Sequence, residues 1–127
     1  MPRSGIKTYR DLVVWDKAMD LAVVVYRFCD ALPPRRFFAL GSQLRGAAGS
    51  IPSNIAEGYG RRSRGDYMRF VSIANGSLCE LQTRLLLIRR IESGYESVVD
   101  QILPCTDQVG RMLTKLRRAL KNSPARP

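Results

Sequence analysis

The sequence contains no histidine. That absence excludes zinc sites built on imidazole, hydrolases that use a histidine base, and histidine pH switches. Cys29, Cys79 and Cys105 form no Cys-x-x-Cys pair, which argues against a thiolate metal site or a disulfide framework. Their apolar neighbours favour buried small hydrophobes, with a redox-sensing thiol as the alternative. The longest uninterrupted apolar run, Leu21 to Tyr26, falls far short of the ~18 residues of a membrane span. Acidic side chains number 11 against 21 basic ones. They are dispersed, without the paired spacing of metal-dependent nucleases or glycosidases. No catalytic residue, metal ligand or cofactor is expected. Asp11, Asp16 and Asp20 interrupt anything like a signal segment after Arg3, Lys7 and Arg10, so a cytoplasmic protein is expected.

What is present is a compact, basic chain. Its 127 residues suit one domain, and 45% apolar content provides for a core. The formal net charge is +10, and half of that excess lies between residues 35 and 69. Seventeen of the basic residues are arginines, whose planar fork can grip phosphate oxygens in pairs.

Helical periodicity recurs four times. Leu12, Trp15, Met19, Ala22, Tyr26 and Cys29 form a first stripe, with Asp11 as the expected N-cap and Pro33-Pro34 as the stop. A second stripe runs through Phe37, Leu40, Leu44, Ala47 or Ala48, Ile51 and Ile55, and ends at Gly58-Tyr59-Gly60. Ser63 and Asp66 resemble a capping box that opens a third stripe: Tyr67, Val71, Ala74, Leu78, Leu81, Leu85 and Ile88. Ser93 and Glu96 could cap a fourth, through Val98, Ile102, Val109, Met112, Leu116 and Leu120. Short connections make the neighbours antiparallel, so the expected fold is an all-α, up-down four-helix bundle over residues 11–121. Kinks are expected near Pro52 and Pro104, with a flexible arm over residues 1–10 and a disordered tail over 122–127.

Gly41 to Gly46 has the glycine spacing of a phosphate loop, but Ala47-Ala48 follow where Lys and Ser or Thr are needed, so that motif is rejected. Ser50, Pro52, Asn54 and Glu57 make a polar segment at the expected kink. It either satisfies backbone groups freed there or forms a recognition site. Arg61, Arg62, Arg64 and Arg69, with Tyr59 and Tyr67, form a basic corner between two helices. Arginines can hold phosphates there while aromatics stack on unpaired bases. A solvated corner with packed tyrosines is the alternative. Arg35-Arg36, Arg89-Arg90 and Arg117-Arg118 are secondary clusters. Phe70, Ile73, Leu86 and Leu87 lie off the third stripe, an apolar surplus that a subunit contact would bury.

Tyr9 to Ala18, the Leu40-x-x-Gln43-Leu-Arg45 string, Ser50-Ile-Pro-Ser-Asn-Ile-Ala-Glu-Gly58 and Gly60-Arg-Arg-Ser63 together resemble the 23S ribosomal RNA intervening-sequence protein family, across about residues 8–120. The resemblance implies a cytosolic four-helix bundle assembled as a ring-like homopentamer, with no established enzymatic activity. It also implies kinship with the accessory variability determinant of diversity-generating retroelements, a basic pentamer that works with a reverse transcriptase and nucleic acid. The function expected from residues and resemblance together is a non-enzymatic oligomeric scaffold for RNA or an RNA–DNA hybrid. The alternative is an adaptor that docks a protein partner such as a reverse transcriptase.

Overall fold

A computed structural model describes residues 5–123. A 3-10 turn at Tyr9–Asp11 leads into four α-helices: α1 (Val13–Asp30), α2 (Pro34–Tyr59), α3 (Arg64–Ile91) and α4 (Glu96–Asn122). Each helix packs against its sequence neighbour, and α4 returns to α1, which is the up-down bundle expected. Registry is visible in the polar contacts between helices. Ser50 meets Ser77 and Gln43 meets Arg84 across α2 and α3, while Ser72 meets Arg117 and Gln82 meets Thr106 across α3 and α4. No helix among the described residues is long and apolar enough to cross a membrane.

The core holds Leu21, Leu44, Ile51, Leu81, Leu85 and Leu113, all essentially without solvent contact. The third stripe is buried at all seven expected positions. In α1 the buried face is Val14, Ala18, Leu21, Ala22, Val25, Phe28 and Cys29, so Ala22 and Cys29 of the expected stripe are buried while its Met19 and Tyr26 are exposed. This helix is apolar on two faces, so period alone does not say which one turns inward. In α4 the core takes Val99, Ile102, Thr106, Val109 and Leu113, and Val98, Met112, Leu116 and Leu120 only flank it. Thr106 is admitted because its hydroxyl donates to the Leu103 carbonyl and accepts from the Gln82 amide.

Several local expectations change. Asp11 does not cap α1, which begins after Leu12 without a side-chain cap. Its carboxylate instead accepts from the Lys7 and Thr8 amides, closing a capping box on the preceding turn. Those amides hold the Asp11 carboxyl below its ordinary range. Tyr9 and Arg10, placed by sequence in a flexible arm, belong to that turn, and the Tyr9 ring stands edge-on to Trp15 at 5.3 Å. Residues 1–4 of that arm and 124–127 of the expected tail lie outside the described residues.

Pro52 and Pro104 do not break their helices. The departure from helical dihedrals in α2 is at Phe37, not near Pro52, and α4 runs unbroken through Pro104. Ser63 caps α3 as expected, accepting from the Asp66 amide at 3.0 Å. The fourth helix is capped differently: Glu96 is its first residue, and its carboxylate accepts from the Gly94 amide. Gly94 sits at φ 99°, a conformation that side chains disfavour, so glycine is what allows the short turn into α4. Only Cys29 of the three cysteines is buried; Cys79 and Cys105 are exposed.

Candidate nucleic-acid interface

At the corner between α2 and α3 the arginines are near one another but largely occupied. Although α2 ends at Tyr59, Glu57 holds Arg61 at 3.1 Å, and Asp66 holds Arg69 at 3.6 Å. Both guanidinium groups also lie over the Phe70 ring, 4.5 and 4.6 Å from its centroid. Arg64 donates to the Ser123 carbonyl at the end of α4. Arg62 is exposed and has no carboxylate partner among the described residues.

Tyr67 is 4% exposed and packs edge-on against Tyr59, so its ring is not presented for stacking. The cause is Gly58: its missing Cβ lets Tyr67 and Phe70 close onto α2, where an added Cβ would stand 2.8 Å from that of Phe70. Phe70, expected at a subunit contact, is therefore buried in its own chain, whereas Ile73, Leu86 and Leu87 are exposed. At the other end of the bundle Arg36 binds Glu92 at 2.6 Å, and Arg35 is exposed and unpaired among the described residues.

The polar segment of α2 is structural in its contacts. Asn54 donates to both the carbonyl and the hydroxyl of Ser50, and that hydroxyl meets Ser77 on α3 at 2.8 Å. A half-buried side-chain network thus pins α2 to α3 with its polar atoms satisfied. Pro52 is buried alongside.

The largest unneutralised charge lies elsewhere, on the last half of α4. After Asp107 the chain has no acidic residue, and Arg111, Lys115, Arg117, Arg118 and Lys121 are all exposed. None of the five pairs with a carboxylate among the described residues; Arg117 instead donates to the Ser72 hydroxyl at 3.1 Å. These side chains flank two adjoining clefts between α3 and α4, of about 470 and 650 Å³, which share Asn75, Thr114 and Arg118. Gly110 lets the helices close at the floor, since a Cβ there would touch Leu78. Asp107 is the one carboxylate lining either cleft, and Gln82 engages it.

In sequence this groove shows only as the secondary cluster Arg117-Arg118, although more of its signal is present. Over residues 92–127 the net charge is only +2, because four acids precede residue 108 and six basic residues follow it. The Arg64 contact with Ser123 brings the basic corner to the end of the same groove. Among the described residues no group of three or more potential ligands could hold a metal ion.

On the opposite side of the bundle, α1 and α2 enclose a groove of about 560 Å³ lined by Trp15, Met19, Val23, Tyr26, Pro52 and Ala56, among others. Mostly apolar side chains form its α1 wall, with Arg27 beside them, and small residues (Gly49, Ser53, Ala56) its α2 wall.

The profile of the 23S rRNA-intervening sequence protein family matches residues 10–115 of the chain. The fold is similar to a crystal structure of a protein of unknown function from the S23 ribosomal protein family of Bacteroides thetaiotaomicron VPI-5482. The TM-score is 0.77 at 24% identity, over 83% of this chain and 98% of that one. No curated protein is matched by the sequence.

Proposed function

The chain belongs to the 23S rRNA-intervening sequence protein family, and on that premise we propose that it is a non-enzymatic basic scaffold that binds RNA through the α3–α4 groove. The observation that carries this proposal is the set of five exposed basic side chains on α4 after Asp107, none balanced by a carboxylate among the described residues. A field of one sign over a shaped surface attracts polyanions. The name of the family is in keeping with an RNA-associated role. Arg62 and Arg64 extend the surface around the corner, with Arg61 and Arg69 contributing less because Glu57 and Asp66 offset them.

Binding should weaken steeply as salt rises, since each neutralised phosphate releases counterions. Fluorescence anisotropy with labelled RNA over about 50–200 mM salt tests this. A salt-independent affinity, or none, contradicts the proposal. Replacing Arg61, Arg62 and Arg64 together by Ala should flatten the slope modestly and leave helicity intact.

The apolar α1–α2 groove and the exposed Ile73, Leu86 and Leu87 on α3 occupy different faces of the same chain. A head-to-tail contact that seats one in the other would bury both, and a rotation that closes would generate a ring. We therefore also propose a homo-oligomer, with the pentamer of the family resemblance as its expected size. Native mass spectrometry with and without nuclease reads subunit number and bound polymer together; a nuclease-treated monomer contradicts assembly. The same groove favours a second role, in which it accepts a helix of a protein partner such as a reverse transcriptase. Capture of that partner at high salt after nuclease treatment would support the adaptor.

A further inference from the structure

The lining of the α3–α4 groove also bears on which form of RNA it accepts. Proteins that hold single strands supply aromatic faces on which successive unpaired bases stack. Neither cleft of this groove is lined by an aromatic side chain. At its end Tyr67 and Phe70 are buried, and the Phe70 ring is already covered by Arg61 and Arg69. The strongly exposed aromatics, Tyr26 and Phe38, belong to α1 and α2.

What the groove does offer is a row of cations beside short neutral groups. Arg111, Lys115, Arg118 and Lys121 follow one side of α4 over about 15 Å. Asn75 and Thr114 lie between the two clefts, exposed, with side chains that have no hydrogen-bond partner among the described residues. An amide and a hydroxyl can each donate and accept, as a ribose 2′-hydroxyl does. Double-stranded RNA is held through its shape, its phosphates and its 2′-hydroxyls across the shallow minor groove, without access to the base faces.

From this juxtaposition we propose that the α3–α4 groove recognises the backbone of double-stranded RNA, with the α4 row on phosphates and Asn75 and Thr114 on 2′-hydroxyls. The proposal rests on the groove being the RNA interface and adds the form of the ligand. It leaves no task for base stacking, in contrast to the basic corner as read from sequence.

The test uses the full chain and three labelled probes in one buffer: a blunt RNA duplex of about 16 base pairs, the DNA duplex of the same sequence, and an unstructured RNA strand of equal length. The RNA duplex should bind about tenfold more tightly than the single strand, and more tightly than the DNA duplex. Asn75→Ala with Thr114→Ala should remove the preference for RNA over DNA duplex. Arg111→Ala with Lys115→Ala should weaken both duplexes alike. A single strand that binds as well as the RNA duplex overturns the proposal while leaving the RNA interface in place. Equal binding of both duplexes, or a preference that survives the double Asn75/Thr114 variant, overturns the hydroxyl assignment. If no probe binds, the interface itself is wrong and the proposal falls with it. Circular dichroism of each variant confirms that the surface substitutions leave the bundle folded.

Discussion

The α1–α2 groove and the α3–α4 groove lie on opposite sides of one bundle, and both are clefts between antiparallel helices, yet their linings share almost no chemistry. The first is walled by Trp15, Met19, Val23 and Tyr26 against small residues of α2. The second is flanked by arginines and lysines over Asn75 and Thr114. A net charge of +10 describes neither. The difference shows that segregation, more than total charge, sets what each face can hold. An apolar trough suits a packed helix, and a cationic one suits a solvated polyanion.

The contrast can be broken most strongly from the basic side. Changing Arg111, Lys115 and Arg118 together to Ala should lower RNA affinity about a hundredfold and reduce the salt slope by about three. Arg61→Ala alone, at a side chain already held by Glu57, should change affinity by only about twofold. From the apolar side, Met19→Glu with Val23→Glu should dissociate the proposed assembly in sedimentation velocity, because burying two carboxylates with only Arg27 beside them is unfavourable. Each subunit should then bind RNA with unchanged salt dependence.

Smaller effects sharpen the account of how the grooves are built. Gly58→Ala should destabilise the bundle by about 1–3 kcal/mol in thermal melts. Its Cβ would collide with the Phe70 Cβ at 2.8 Å and crowd the Tyr67 carbonyl at 3.3 Å. Gly110→Ala should be nearly neutral, because the Leu78 methyl it meets at 3.1 Å can move and alanine favours the helix. Asn54→Ala, which removes the bonds to Ser50, should cost about 1 kcal/mol. Least of all, a thiol reagent should modify Cys79 and Cys105 quickly and Cys29 slowly. Cys29 is buried against the Gly41 carbonyl, and burial pushes its thiol pKa up.

The bundle was legible in sequence wherever one signal dominated. Pro33-Pro34 and the glycines at 58, 60 and 94 marked the connections, and the third stripe was buried residue for residue. Reading failed where two signals competed. The valines of α1 give it two apolar faces, so the stripe chosen from Trp15 to Tyr26 proved to wall the outer groove. Asp11 could serve either the 3-10 turn or α1, and the nearer Lys7 and Thr8 amides claimed it. Pro104 was accommodated without splitting α4.

The candidate interface was harder to see for a related reason. Of the arginines dense in sequence at residues 61–69, Arg61 and Arg69 lie three or four residues from Glu57 and Asp66, which offset them. The cations of α4 are spread over several turns and share their region with four acids of the preceding stretch. The two sets are separated along the chain at residue 108, and the net charge of the whole stretch hides this. Arg64 lies at the corner between α2 and α3, and its tie to Ser123 across the chain could not be read from local spacing.

The four lysines allow the α4 row to be compared with the N-terminal part of the same molecule. Lys115 and Lys121 belong to α4, whereas Lys7 precedes the 3-10 turn and Lys17 lies on α1. Acetylation footprinting by mass spectrometry, with and without saturating RNA duplex, reads all four at once. Protection of Lys115 and Lys121 with Lys7 and Lys17 unchanged is the predicted outcome. Equal protection of all four, or protection confined to Lys7 and Lys17, would contradict the assignment of RNA to the α3–α4 groove.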